Sequence, residues 1–347
     1  MKKLLAMLLT ALLVLSMGVV AMADEVPAKG PYDDMIGLDA TVETNTITVT
    51  KNYTITGTNA VNPADTLQFT VTDSDFENDG TKAPDPIPAV SIGNVSVAQG
   101  ATSAPITVSL PAYTVPGVYT YTIQETDTNK AGVTYLDDEL TLKVTIVNGE
   151  EPGDFLIGGI ALKNGTEKID EFENKYDAGS LTVGKIVTGS MGDKTKVFNI
   201  TVTLTAQGGD TVNAPITINA SSGYTSFKEG ETEVPSTGIA AGWTGTKTFT
   251  LQVKDGQSII LDNIPYGVTY TVNEADYTGE GYDEPIGEVK EATAISAATT
   301  NVTITNNKDI EIDTGIILQY APYIAILAVV LAGAALLIIR RRRNNED

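Results

Sequence analysis

Between residues 38 and 309 the chain alternates. In the stretch ITVTKNYTI, residues Ile47, Val49, Lys51, Tyr53 and Ile55 share one parity, and Thr48, Thr50, Asn52 and Thr54 share the other. A period of two marks a half-buried strand with one face on a core. The same alternation recurs in short runs rich in Thr, Val, Ile and Tyr, separated by clusters of Pro, Gly, Asn and Asp. Long helical patterns are absent between the two ends. The pattern predicts an all-β fold of sandwich type. The length suits two tandem sandwiches rather than one.

The alternation contains an anomaly, because Lys51 falls on the apolar face of its strand. A buried ammonium is costly unless it is paired or neutralised. The anomaly also repeats. ITVTKNYTITG is echoed by SLTVGKIVTG at 180–189, PGVYTYTIQE by PYGVTYTVNE, and EFENK by TITNNK. Each half thus has a first strand with a lysine, a late strand with a glutamate and a closing strand with an asparagine. Parity places Lys185 with Leu181, Val183 and Val187, and Glu125 with Tyr119, Tyr121 and Ile123. It places Glu274 with Tyr270 and Val272, Asn174 with Phe172, and Asn306 with Val302 and Ile304. One polar residue on an apolar face is ordinary, since strand-end charges snorkel. Six in the same order in two repeats are not. The repeat sets the expected domains at 38–176 and 177–309. The short junction NKYDAGS, with its turn residues, predicts a fairly stiff rod.

The two ends read differently. Residues 1–23 carry two lysines, a long apolar run and an Ala21-Met22-Ala23 box, the pattern of a secretory signal peptide. Residues 24–37 then form a linker. At the other end, 316–339 is apolar and long enough to span a bilayer. The arginines Arg340–Arg343 follow it in the tail 340–347, so that end is expected in the cytoplasm and everything upstream outside. Thr314-Gly315 stands directly before the apolar run. A Thr-Gly junction, an apolar span and a basic tail over 310–347 resemble the sorting signal that sortases cleave in Gram-positive bacteria. The usual Leu-Pro-x-Thr-Gly is here Glu311-Ile312-Asp313-Thr314-Gly315, without the leucine and proline.

Composition narrows the functions. The chain carries −22; with the signal segment and everything after Thr314 set aside, 16 basic and 42 acidic side chains leave −26. Such a surface repels nucleic acid and anionic lipid. There is no cysteine, although export permits disulfides. There is no histidine, which excludes Ser-His-Asp and Cys-His enzymes and removes the commonest metal ligand. No Gly-rich phosphate loop follows a strand. The acidic stretch DSDFENDG at 73–80 lacks the glycine and closing glutamate of an EF-hand and reads as a solvated acidic turn, not a metal site.

LTV-x-K, YT[IV]-x-E and TN-x-KD ahead of the sorting signal resemble the streptococcal pilin isopeptide-linkage family, over nearly the whole ectodomain. The resemblance implies two immunoglobulin-like β-sandwiches. It also implies an intramolecular isopeptide bond in each: Lys51 to Asn174 assisted by Glu125, and Lys185 to Asn306 assisted by Glu274. Physical chemistry gives the same residues work to do. Burial lowers a lysine pKa and raises that of a glutamate. A neutral amine is a nucleophile, and a neutral glutamic acid polarises the asparagine carbonyl and relays a proton to departing ammonia. No cofactor is required, and each half reacts once, so this is a self-modifying scaffold rather than a turnover enzyme. A noncovalent buried Lys-Glu pair is the rival reading, and it gives the asparagine no role.

The resemblance further implies that a sortase passes the Thr314 carbonyl to an amine on a neighbouring pilin subunit or on peptidoglycan. Lys168 is the nearest candidate for the acceptor, with Lys163 and Lys175 as alternatives. Two roles follow: a pilus shaft subunit, or a monomeric wall-anchored adhesin that binds a host or partner ligand.

Overall fold

The computed structural model describes residues 39–41, 45–78, 80–220, 222–310 and 322–331. Its first half contains β1 (Asp39–Thr41), β2 (Thr46–Thr56), β3 (Asp65–Glu77), β4 (Ser91–Ile92), β5 (Val95–Val97) and β6 (Ser103–Ser109). It continues with β7 (Gly117–Thr126), β8 (Val133–Thr134), β9 (Leu140–Asn148), β10 (Phe155–Asn164) and β11 (Glu167–Ile169). A long strand, β12 (Glu171–Thr188), leads into β13 (Phe198–Thr205), β14 (Thr217–Asn219), β15 (Ser226–Glu229) and β16 (Thr232–Glu233). The last five are β17 (Thr246–Val253), β18 (Ser258–Pro265), β19 (Thr269–Glu274), β20 (Val289–Ala294) and β21 (Thr299–Asn307).

The described strands form three sheets. One sheet runs β14-β18-β12-β2-β6-β4, with β1 on β2 and with β8 and β21 on β12. The second runs β11-β10-β9-β7-β3-β5 and the third β16-β15-β17-β13-β19-β20. The fold is all-β and sandwich-like, as the alternation requires. In β2, Ile47, Val49, Lys51 and Tyr53 are buried, while Thr48, Thr50 and Thr54 are exposed. In β7 the buried set is Tyr119, Tyr121, Ile123 and Glu125. The first core gathers Ile47, Val49, Tyr119, Tyr121, Leu142 and Val144. The second gathers Leu181, Val183, Phe227, Phe249, Leu251 and Ile304.

The expected turn-bearing junction is a continuous strand. β12 pairs in parallel with β2 through residues 171–177 and with β21 through 180–188. It therefore closes the first sandwich and opens the second. Asn174 and Tyr176 are buried in its first part, and Leu181, Val183, Lys185 and Val187 in its second. The inward parity changes from even to odd, and the β12–β18 register slips between Gly179 and Leu181. A one-residue slip moves every following side chain to the opposite face. Gly179 permits it: a Cβ there would sit 2.2 Å from the carbonyl oxygen of Ala297.

The acidic stretch at 73–80 also differs from expectation. β3 continues through Glu77, because after a bulge between Val71 and Asp73 the pairing with β7 resumes from Asp73↔Thr122 to Glu77↔Val118. Asp73 and Asp75 accept hydrogen bonds from the next backbone N–H, those of Ser74 and Phe76. Cross-strand pairing thus outweighs the local turn preference.

At the C-terminal end a helix covers 322–331. Among the described residues no helix is long and apolar enough to cross a membrane, so the expected spanning helix over 316–339 is not supported. The signal segment 1–23, the motif 311–315 and the basic tail lie outside the described residues.

The halves meet at Asn263, which is buried and left-handed at φ 64°. Its Oδ1 accepts from Val61 N (3.0 Å) and the Tyr176 hydroxyl (3.1 Å). Its Nδ2 donates to the carbonyls of Val61 (3.1 Å) and Pro215 (3.0 Å). All four hydrogen-bonding positions of this carboxamide are used. Asn263→Ala leaves one buried and three half-buried groups without their partner and places alanine in a left-handed conformation. It should destabilise the protein by about 2–4 kcal/mol in urea unfolding. A change below about 0.5 kcal/mol would mean that water replaces the clasp at no cost.

Candidate functional site

The six polar residues singled out by parity form two buried clusters. In the first, Lys51 on β2 lies opposite Phe172 on β12, and Asn174 lies opposite Tyr53. The asparagine is thus two residues beyond the lysine's partner on the same face, a diagonal neighbour across a parallel ladder. In the second, Lys185 lies opposite Ile304, and Asn306 lies opposite Val187. The displacement is again two residues. The glutamates come from the facing sheets, Glu125 on β7 and Glu274 on β19.

In the first cluster Lys51 Nζ donates to Asn174 Oδ1 at 2.6 Å and to Glu125 Oε2 at 2.7 Å. Asn174 Nδ2 donates to Glu125 Oε1 at 2.8 Å. The Lys51 and Glu125 side chains have 0% exposure. Lys51 Nζ lies 4.2 Å from the centroid of the Phe172 ring. Burial pulls the Lys51 pKa from 10.5 down to about 8, against the opposing pull of Glu125. The glutamate therefore touches the amine and the amide nitrogen, not the amide oxygen. The oxygen instead faces the backbone N–H of Leu136 at 3.1 Å, and that N–H is also 3.2 Å from Glu125 Oε2. The sequence carried no sign of Leu136, because its contribution is a main-chain donor.

The second cluster has the same members with a longer lysine–glutamate contact. Lys185 Nζ donates to Asn306 Oδ1 and lies 3.2 Å from Glu274 Oε1. It also reaches the carbonyls of Ile186 (3.3 Å) and Ile304 (3.4 Å). Its Nζ lies 4.3 Å from the Phe198 ring centroid. Burial lowers the Lys185 pKa and raises that of Glu274. Among the described residues Asn306 Nδ2 has no hydrogen-bond partner. Glu288 Oε1 accepts the backbone N–H of Glu274 at 2.7 Å, and its charge adds to the upward push on that carboxyl. Glu288 lies in a mostly exposed stretch without alternation and gave no signal in the sequence.

Lys168, the expected intersubunit lysine, is exposed on edge strand β11 and is the cross-strand partner of Lys163 in the β10–β11 hairpin. Lys175 is exposed on the outward face of β12. Thr314 and Gly315 lie outside the described residues.

Paired sandwiches, each with a lysine, a glutamate and an asparagine in contact inside the core, define a class of β-sandwich surface scaffold. The comparisons agree. The family model described as "Spy0128-like isopeptide containing domain" matches residues 47–177, and "Domain of unknown function (DUF7601)" matches 179–308. The chain is 30% identical over 313 residues to a "Pilin" of Streptococcus pyogenes serotype M1, across 83% of this chain and 88% of that protein. It is 31% identical over 141 residues to "Pilus tip adhesin Cpa" of Streptococcus pyogenes, across 39% of this chain and 18% of that protein. Among solved structures, the major pilin from Streptococcus pyogenes superposes with a TM-score of 0.50 at 26% identity, covering 77% of this chain and 99% of that one. The chain belongs to the pilin family that carries the Spy0128-like isopeptide-containing domain.

A lysine that deprotonates early in the folded state makes stability depend on pH. Between the folded Lys51 pKa of about 8 and the ordinary 10.5, the unfolded chain binds the additional proton, so stability rises with pH across that window. Asn174→Ala leaves the named causes of the shift in place. The unfolding free energy of that variant, from urea titration, should increase from pH 8 to 10.5 by up to about 3 kcal/mol. Adding Lys51→Met should remove the increase. An equal pH response in the double variant would assign it to other groups.

Proposed function

We propose that this chain is a shaft subunit of a Gram-positive pilus. In this reading each half is closed by an autocatalytic Lys-Asn isopeptide bond, and a sortase joins Thr314 to a lysine of the neighbouring subunit. The observation that carries the reading is the contact of a buried lysine amine with a buried asparagine carboxamide in both halves, with a glutamate against the amine each time.

In the first half the neutral Lys51 amine attacks Asn174 Cγ, and a C–N bond forms while the carbonyl π pair moves to Oδ1. Glu125 takes the proton released by the amine and gives it to Nδ2. The tetrahedral centre collapses, the Cγ–Nδ2 bond breaks and ammonia leaves. Lysine and asparagine become one secondary amide, with no oxidant, reductant or cofactor. Folding supplies the proximity, worth about 7–11 kcal/mol of barrier. In the second half the Lys185 amine attacks Asn306 Cγ in the same way, and Glu274, whose pKa burial raises, relays the proton by giving one to Nδ2 and taking the one the amine releases.

The shaft role is favoured over that of a wall-anchored adhesin binding a host ligand. The pilin relative matches over most of its length, whereas the tip adhesin matches over less than a fifth. The exposed Lys168 on an edge strand is the proposed intersubunit acceptor.

The intact mass of the chain made by cell-free synthesis, where no processing occurs, tests the internal bonds. Two ammonia equivalents should be missing from the calculated mass, and Glu125→Ala and Glu274→Ala should each restore one. A folded chain of full calculated mass would leave two noncovalent clusters. Polymerisation is separately testable on the cell surface. Lys168→Ala should collapse a covalent ladder of multimers to monomer, and a persisting ladder would move the acceptor role to Lys163 or Lys175.

A further inference from the structure

Among the described residues the first cluster contains a donor that the second lacks. The backbone N–H of Leu136 points at Asn174 Oδ1 from 3.1 Å, the atom on which negative charge develops when the amine attacks. Among the described residues no backbone N–H donates to Asn306 Oδ1. Effective oxyanion donors stand about 2.7–3.1 Å from that oxygen and are fixed before the reaction begins.

Leu136 is fixed from two directions. Val133 and Thr134 form β8 and pair with Tyr176 and Lys175 on β12, which lays the segment beside Asn174. The neighbouring Tyr135 hydroxyl donates to Asp65 Oδ2 at 2.7 Å. Asp65 is buried, and its Oδ1 accepts from Thr66 N at 2.7 Å and from Thr128 Oγ1 at 2.8 Å. The Thr128 and Tyr135 hydroxyls lie 2.6 Å apart. The loop after β7 is thereby tied to the start of β3, and the tie ends one residue before the N–H that faces the amide.

We infer that the Leu136 backbone N–H is the oxyanion donor for cross-linking in the first half, with Tyr135 and Asp65 as positioning residues that hold it on Asn174. The inference rests on the proposed isopeptide chemistry. The N–H stabilises the charge on Oδ1 until the carbonyl re-forms and ammonia departs, and it exchanges no proton.

The test uses the full chain made by cell-free synthesis, with samples quenched in acid over time. Ammonia loss is followed separately in the two halves by proteolysis and mass of the joined peptides. Replacing Leu136 by its α-hydroxy acid analogue turns this one N–H into oxygen and keeps the side chain. First-half closure should slow about 10²-fold, the lower edge of what one oxyanion donor contributes, while second-half closure keeps its rate as an internal control. Tyr135→Phe should slow the first half about tenfold, because the β8 pairing still holds the segment. In a Glu125→Ala background, where the first half cannot close, the melting shift caused by Tyr135→Phe reports its structural contribution alone. A rate loss on the closing chain with little melting shift on this background supports the positioning role.

Unchanged first-half rates in both altered chains overturn the inference. Absence of ammonia loss from both halves of the unaltered chain overturns the cross-linking reading itself, which is a different result. If the ester-containing first half loses protease resistance, Tyr135→Phe decides: a selective slowing supports the inference and parental kinetics overturn it.

Discussion

The structure depends on placing two lysine side chains inside apolar cores without leaving a charge stranded there. An isolated buried ammonium is strongly disfavoured. Here each amine is given an aromatic face, a carboxylate and an amide oxygen, and burial lowers its pKa. The environment that makes lysine uncomfortable as a cation makes it a nucleophile. The destabilising burial and the proposed chemistry are therefore one feature, and a covalent amide would remove the charge problem permanently.

Strand β12 links the two sites mechanically. Asn174 and Lys185 both lie on it, one facing each core, and the slip at Gly179–Leu181 lets one strand serve both. The proposed bonds connect positions 123 and 121 residues apart in sequence. Tension entering through β2 would cross to Asn174, follow β12 to Lys185 and leave through Asn306. Most of the chain would lie outside that route. Without the bonds, the same tension would fall on the β2–β12 and β12–β21 ladders, whose individual hydrogen bonds are each worth only about 1 kcal/mol net. Asn263 holds the halves together beside this route without lying on it.

Much of this was legible in the sequence, and the reasons are specific. Lys51, Glu125, Asn174, Lys185, Glu274 and Asn306 were visible because strict alternation makes a polar residue on the wrong parity conspicuous, and the repeat doubled the signal. The junction was misread because Asp177, Gly179 and Ser180 carry turn propensity locally, while β2, β18 and β21 all pair with the strand that contains them. Asp73 and Asp75 misled for the same reason: the pairing of β3 with β7 decides their conformation. Leu136 could not be found at all, since a main-chain N–H has no side-chain signature and its position depends on contacts with Asp65 far earlier in the chain.

The two halves repeat the same three side chains at the same strand offset, yet their surroundings have diverged. In the first, the carboxamide is held at both ends, with nitrogen on Glu125 and oxygen on Leu136. In the second, Asn306 Nδ2 has no hydrogen-bond partner among the described residues, and the lysine divides its contacts between the amide, Glu274 and two carbonyls. There burial and the charge of Glu288 push the Glu274 carboxyl toward its neutral form. In the proposed reaction the first half would meet developing charge with a fixed dipole, and the second has no such donor among the described residues. The backbone diagonal that brings lysine to asparagine is therefore what the two halves share, and the groups around the amide are what differ.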